Sequence, residues 1–528
     1  MDFDAVVVGA GFAGLYMLHR LRGLGLSVRL YEAGDGVGGT WYWNRYPGAR
    51  CDVESIEYSY SFSAELQQDW NWSERFAAQP EILRYLNHVA DRFDLRPDIW
   101  FGRRVTVAEY DEAARRWLVT LSTGEQARSG FLIMATGCLS TARRPDIPGL
   151  DTFAGRLWHT GDWPADDVDL AGQRVGVIGT GSSGVQVIPI LAGQAAELTV
   201  FQRTANFQVP ARNAPLAPEY VAQVKASYPA LRDRARHAPG GTLRNLHPES
   251  AAAAPPEVRR ARYEDLWAKG GADILGSFGD LLTSAESNAT LADFFRSKVR
   301  QIVTDPATAE LLCAQDYPLG AKRMCLGTDF YETFNQPSVR LIDVRADPIQ
   351  EITASGVRTA GTLYELDTLI LATGFDAMTG ALLGPDIRGR GGLPLRDKWR
   401  DGPATLLGLA TAGFPNFFFI TGPGSPSVIS NVVVSIEQHV EWLAGHLEHL
   451  AKEGRTETEA TRAAERAWTD HVSAVASRTL YPLAKSWYTG ANVPGKPRIF
   501  MPYVGGVGEF RRRCDEVAAA GYDGFVLS

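Results

Sequence analysis

Val6-Val7-Val8-Gly9-Ala10-Gly11-Phe12-Ala13-Gly14 is the stretch whose reading decides the fold. A run of strand-forming valines meets three glycines spaced Gly-x-Gly-x-x-Gly. A helix-like stretch then reaches about Leu24, and the strand Val28-Arg29-Leu30-Tyr31 ends at Glu32. The first two glycines let the backbone turn tightly and approach a pyrophosphate, and the third lets helix and strand pack closely. Free N–H groups and the dipole at the helix start complete an anion site. Working outward, the pattern recurs. Arg174-Val175-Gly176-Val177-Ile178 runs into Gly179-Thr180-Gly181-Ser182-Ser183-Gly184, a second helix, and the strand Leu198-Thr199-Val200-Phe201. One such motif is weak evidence, because glycines also mark ordinary turns. Two copies, each between a strand and a helix, read as two βαβ units. The expected fold class is α/β with two Rossmann-like dinucleotide-binding domains.

The two units end differently. Glu32 is placed to accept hydrogen bonds from ribose hydroxyls, which suits the adenosine end of FAD. The matching place in the second unit holds Gln202-Arg203. A carboxylate there would repel a 2′-phosphate, whereas a guanidinium binds one through paired hydrogen bonds. The second nucleotide is therefore expected to be NADPH rather than NADH.

At 528 residues the chain calls for two or three domains. The boundaries read from the pattern are a first part of the FAD domain over 1–138 and a first part of the NADP domain over 139–209. A helical insertion, rich in Ala, Arg and Glu, follows over 210–317, then the second NADP part over 318–376 and the second FAD part over 377–528. Within these, periodicity predicts a helix over 81–93, a hairpin pairing 105–110 with 117–122, and strands ending in Ala135-Thr136-Gly137 and Ala372-Thr373-Gly374. Two amphipathic helices are expected over 435–477, broken near Gly454.

The net charge of −8 argues against nucleic acid as a partner. The five cysteines, Cys51, Cys138, Cys313, Cys325 and Cys514, include no Cys-x-x-Cys pair. That excludes a sequence-local metal knuckle and the close redox pair of a disulfide reductase. No basic leader precedes the first strand, and the most apolar run, Phe417-Phe418-Phe419-Ile420, is far too short to span a membrane. A cytoplasmic protein without membrane contact is expected.

Between the two units lies Phe153-Ala154-Gly155-Arg156-Leu157-Trp158-His159-Thr160-Gly161-Asp162-Trp163-Pro164. It resembles the Phe-x-Gly-x-x-x-His-x-x-x-Trp-Pro fingerprint of the type I Baeyer–Villiger monooxygenases at every fixed position. Gly38 to Asp52, Tyr317 to Arg323, Gly422 to Ser427 and Ser486 to Gly495 resemble the same family, most closely its phenylacetone-oxidising branch.

The resemblance implies that NADPH reduces FAD and that reduced flavin and O2 form a C4a-peroxide. This attacks a ketone, giving an ester or lactone, with sulfoxidation as a side activity. Arg323 matches the cation that keeps the peroxide unprotonated, and Asp52 matches its acidic partner. Lys322, Arg203 and Thr204 match contacts to the 2′-phosphate, and Trp487 a residue near the nicotinamide ribose on a loop that orders with NADP. The cofactor contacts implied are Gly9, Gly11, Ala13, Gly14, Glu32, Thr40, Trp41, Tyr42, Trp43, Arg50, Cys51, Asp52, Tyr58, Val105, Gly179, Gly181, Ser182, Ser183, Gly184, Val185, Gln186, Val187, Arg203, Thr204, Lys322, Arg323, Val432 and Trp487. Val53, Cys138, Met324, Val428, Ile429 and Val432 match positions at the substrate cavity. His159 reads as a linker residue, and His439, His446 and His449 as helix-face histidines rather than metal ligands. The partners expected are a ketone and O2, with the chain acting as a monomer. Two other readings are an N- or S-oxygenating flavin monooxygenase, and a redox sensor that binds NADPH without oxygenating anything.

Overall fold

The first sheet grows from β1 (Asp2–Val8), whose four valine and alanine positions alternate between two buried faces. Ala5 and Val7 meet the helix layer, while Val6 and Val8 meet an aromatic layer under a hairpin. A strand covered on both faces is apolar throughout rather than alternating. The computed structural model describes residues 1–166 and 168–528. In it β1 pairs in parallel with β2 (Val28–Tyr31) and with β6 (Gln126–Met134), and β2 pairs with β3 (Ile99–Trp100). The antiparallel ribbon β4 (Val105–Asp111), β5 (Arg116–Leu121) and β6 extends the sheet.

The second sheet is wholly parallel. Its strands are β7 (Arg156–His159), β8 (Arg174–Ile178), β9 (Glu197–Gln202), β10 (Val339–Asp343) and β11 (Thr368–Leu371), in the spatial order β10-β9-β8-β11-β7. The chain then returns to the first sheet, where β12 (Asp386–Arg388) pairs with β4 and β13 (Phe417–Phe419) with the end of β6. The two crossovers between sheets pair with each other. Arg143 N–H donates to Gly374 O at 2.8 Å, and Asp376 N–H to Thr141 O at 2.9 Å.

Helix α1 (Phe12–Gly23) follows β1, and α2 (Gln79–Arg92) lies beside it. Helix α3 (Ser182–Ala192) follows β8. Four more helices, α4 (Pro218–His237), α5 (Pro256–Lys269), α6 (Ala285–Ile302) and α7 (Pro306–Leu312), form the segment read as an insertion in the second unit. The structure shows it joined to both units. Val299, Val303, Ala309 and Leu312 share the core of the second sheet. On the other side, Arg232 of α4 donates to Ser59 Oγ at 2.6 Å and to Glu57 O at 3.1 Å. Its Val224 and Tyr228 pack with Ile56.

Helices α8 (Val432–Lys452) and α9 (Arg462–Ala476) are the two C-terminal helices expected, with Gly454 between them. Helix α8 is buried on most of its circumference, so His439 and His446 are core residues rather than surface ones. His439 Nδ1 accepts from Thr421 N–H at 3.0 Å, and His446 Nε2 lies 2.9 Å from Thr458 Oγ1. Burial lowers the pKa of both rings and keeps them neutral. No helix among the described residues is long and apolar enough to cross a membrane.

Candidate active site between two nucleotide cradles

At the first cradle, Gly9 has φ +102°, and a Cβ there would lie 2.7 Å from Ala135 O. A Cβ on Gly14 would lie 1.8 Å from Gly9 O, so only glycine lets α1 sit this close to β1. Gly11 caps α1 without a side-chain partner, which leaves the first N–H groups free for an anion. Glu32 is buried, with its oxygens accepting from Ala10 N–H at 2.7 Å and Gly34 N–H at 2.8 Å. Burial raises its pKa against the pull of those N–H groups. Its remaining lone pairs suit ribose hydroxyls. These residues fit an adenine dinucleotide such as FAD.

Around this cradle, Trp41 is buried and its indole N–H donates to Tyr58 Oη at 3.2 Å. Thr40 is exposed at the start of the short helix carrying Trp41. Tyr42 and Trp43 brace the turn after Glu32: the Tyr42 hydroxyl accepts from Asp35 N–H at 3.2 Å, and the two rings meet edge to face. Ala13 and Val105 are buried, and Val432 is half-buried at the start of α8. Arg50 has a structural task, donating to Phe76 O at 2.7 Å and Glu74 at 3.2 Å.

The second cradle repeats the first. Gly179 has φ +112°, and a Cβ on Gly184 would lie 2.3 Å from Gly179 O. Gly181 caps α3 with no side-chain partner, and Ser182 and Ser183 stand half-buried on its first turn. Where the first unit has Glu32, Gln202 accepts from the Thr180 hydroxyl at 3.2 Å. Arg203 is exposed, and Lys322 Nζ lies 4.2 Å from the centre of the Tyr317 ring. Burial, then the Arg203 charge, push the Lys322 pKa down to about 8. Neither cation has a carboxylate partner among the described residues. Two unpaired cations beside a phosphate cradle fit the 2′-phosphate of NADPH. Thr204 adds a half-buried position whose carbonyl accepts from Thr180.

Three expected contacts of the second cradle have packing or tethering roles in this structure. Val187 is fully buried in the core of that unit, in the middle of α3, where its N–H is committed to the helix. Gln186 ties the units together. Its Oε1 accepts from the Tyr46 hydroxyl at 2.8 Å, and its Nε2 donates to Arg50 O at 3.1 Å. Val185 is likewise buried in that core. Sequence pattern puts all three on the motif's helix but does not tell which side of it faces the sheet.

Asp52 and Arg323, 271 residues apart, meet between the cradles. Arg323 Nε donates to Asp52 Oδ2 at 2.6 Å and Nη2 to Oδ1 at 2.7 Å, a two-pronged charge-assisted pair. Its Nη1 donates to Val428 O. About a quarter of each side chain remains accessible, 29% for Arg323 and 25% for Asp52. Burial alone would lower the arginine's pKa, but the Asp52 charge and hydrogen bonds outweigh it and hold the pKa well above its ordinary value. The same pairing overcomes burial at Asp52 and depresses its pKa. Both groups therefore stay ionised at any working pH. Cys51, next to Asp52, is a buried thiol whose pKa burial raises, so it remains protonated.

An apolar cluster adjoins the pair: Cys138, Val428, Ile429 and Trp487 pack with Met378, Tyr488 and Phe500. Of the other cavity positions expected, Val53 and Val432 pack against the first unit's core, and Met324 belongs to the core under the helical segment. The Trp487 loop is pinned to the second crossover. Lys496 Nζ lies 2.5 Å from Asp376 Oδ1, and Asn492 donates to Phe375 O at 2.7 Å. His159 Nδ1 accepts from Gly161 N–H at 2.9 Å, and burial lowers its pKa, which suits a positional residue and not a base. Sequence reasoning missed Tyr317, Tyr488 and Arg143. Arg143 stands on the first crossover, near enough that burial and then the Arg203 charge lower its pKa.

The family model described as pyridine nucleotide-disulphide oxidoreductase matches residues 3–227. All five cysteines here are free thiols, so the likeness lies in the nucleotide units and not in a redox disulfide. A Baeyer–Villiger monooxygenase of Pseudooceanicola batsensis is 44% identical, over 99% of this chain and 96% of its own length. The phenazine N-monooxygenase PhzNO1 of Lysobacter antibioticus is also 44% identical, over 99% of this chain and 97% of its own. A solved structure of an oxidised steroid monooxygenase bound to NADP is 51% identical and superposes with a TM-score of 0.95, over 100% of this chain and 99% of that one.

Proposed function

Since this chain belongs to the FAD- and NADPH-dependent Baeyer–Villiger monooxygenases, which oxidise ketones to esters or lactones, we propose that Arg323, held by Asp52, is the group on which its oxygen insertion depends. Bound FAD, once reduced by NADPH, supplies the activation of O2. The chain's own residues then have three tasks. The two glycine turns and helix starts hold the pyrophosphates. Arg203 and Lys322 select the phosphorylated nicotinamide nucleotide. Arg323 keeps a permanent cation where the ketone reacts, with no proton to give at working pH.

That cation favours the unprotonated, nucleophilic form of the oxygen donor. It also stabilises negative charge growing on the ketone oxygen, worth roughly 3–4 kcal/mol for one well-placed donor. The two-pronged Asp52–Arg323 contact carries this reading, because it fixes both the charge and the direction of the guanidinium. The apolar cluster beside it, with Trp487 and Tyr488, supports a site closed to bulk water.

A panel of aryl, cyclic and linear ketones, with product identification, tests the reading. Ester or lactone formed in step with NADPH consumption supports it. NADPH consumption matched by H2O2 release, with no oxygenated product, overturns it. One observation favours N-oxygenation as a second activity: the phenazine N-monooxygenase is as similar as the Baeyer–Villiger relative. Aromatic amines in the same panel distinguish the two. Both cradles and the ion pair lie in one chain, which supports action as a monomer, and five free thiols suit a reducing cytoplasm.

A further inference from the structure

A cavity of about 330 Å³ has Asp52 and Val53 in its lining. That volume is at the lower end for small-molecule sites, room for a medium-sized ligand. Helix α4 walls one side, and Leu243, Arg244 and Asp273 close another. Ile56, Val224 and Leu231 give it an apolar stretch of lining.

Nearly every charged group lining it is already engaged. Arg75 Nε pairs with Glu54 at 2.7 Å, and Arg234 donates to Leu243 O at 2.9 Å. Glu57 accepts from Leu243 N–H at 2.7 Å, and Asp52 holds Arg323. Arg244 is different. Its Nε is sealed from solvent and has no acceptor among the described residues. Its closest carboxylate, Asp273 Oδ1, stands 3.6 Å away, beyond hydrogen-bond range. Buried donors are almost always satisfied. No acceptor among the described residues takes the Nη groups of Arg244 either, and 27% of the side chain stays accessible where it lines the cavity, so those N–H groups are a place for a ligand's oxygen.

We propose that Arg244 is a specificity-determining residue that reads the far end of the substrate. The cavity takes a bifunctional ketone with an apolar middle. Its second oxygen function, a distal carbonyl or a carboxylate, accepts from Arg244 while the reacting carbonyl meets Arg323. This rests on the ketone-oxidising reading above, and the test separates the two.

Three matched probes share one methyl ketone and one tetramethylene spacer: 6-oxoheptanoate, octane-2,7-dione and 2-octanone. With the full holoenzyme, at least one oxygenated probe is expected to exceed 2-octanone in kcat/KM by about tenfold or more. That is well beyond the twofold that the diketone's symmetry gives. Preference for 6-oxoheptanoate identifies a carboxylate, and preference for the diketone identifies a neutral carbonyl. Arg244→Met should collapse the ratio to about unity while 2-octanone is still oxidised and FAD is retained. Binding of the preferred probe to the oxidised holoenzyme, followed by flavin absorbance, should weaken by a similar factor. The proposal is overturned if the wild type shows no preference, if Arg244→Met leaves the preference intact, or if it slows all three probes alike. Absence of ester from every probe would instead overturn the ketone-oxidising reading.

Discussion

Replacing Asp52 by alanine removes both acceptors from Arg323 and leaves it the carbonyl of Val428. Each charge-assisted hydrogen bond contributes about 1.5–3 kcal/mol net, so the pair is worth roughly 3–6 kcal/mol. About a quarter of each side chain remains accessible, and partial exposure to solvent reduces such pairs by about half, to ~1.5–3 kcal/mol. At 1.36 kcal/mol per tenfold, that is a loss of about 10- to 150-fold in ester formation. The loss comes from orientation rather than charge, because an arginine without its carboxylate still stays protonated at neutral pH. The fall should therefore appear in kcat more than in KM for the ketone. Asp52→Asn, which keeps one acceptor oxygen, should fall between wild type and Asp52→Ala. The assay is ester formation by gas chromatography, with FAD content measured on the same preparation to show that the cradle survives. Ester formation by FAD-loaded Asp52→Ala within about threefold of wild type would refute the reasoning.

Four further outcomes are expected. Arg203→Ala should raise KM for NADPH by about 10- to 100-fold, the loss of one charged hydrogen bond, while KM for NADH hardly moves; steady-state kinetics with both nucleotides checks this. With its pKa pushed down to about 8, Lys322 carries its charge below that pH and loses it above. Accordingly kcat/KM for NADPH should fall as pH rises through about 8, and Lys322→Arg should flatten the profile. Gly184→Ala would place a Cβ 2.3 Å from Gly179 O, forcing α3 from β8; the variant should keep FAD yet bind NADP poorly by fluorescence titration. Lys496→Ala frees the Trp487 loop from Asp376, so H2O2 released per NADPH consumed should rise, as read by a peroxidase-coupled assay.

Much of the fold was legible because its signals are local. Valine runs, glycine spacing and the residues closing β2 and β9 are set by sterics within some thirty residues, and the hairpin and C-terminal helices announced themselves by period. The site was legible in a different way. Nothing in the neighbourhood of Asp52 points to Arg323; their meeting depends on how two units pack, and only a resemblance of long sequence strings carried the pairing. Packing also decided what pattern could not. Val187 and Gln186 belong to the motif's helix, but one turns into the core and the other ties down the Tyr46–Arg50 segment. Met324 adjoins Arg323 in sequence yet faces the helical segment. The histidines of α8 look amphipathic in one dimension, but that helix is enclosed on most sides. Arg244 carried no signal, since an arginine in a polar loop is ordinary until the cavity beside it is seen.

The most direct test of the central claim compares wild type with Arg323→Ala under 18O2, with NADPH and a ketone that the wild type converts. Wild type should place one 18O atom in the ester. The variant should still bind FAD and consume NADPH, yet release its oxygen as H2O2 with no labelled ester. Labelled ester from Arg323→Ala at a rate near that of wild type would contradict the account.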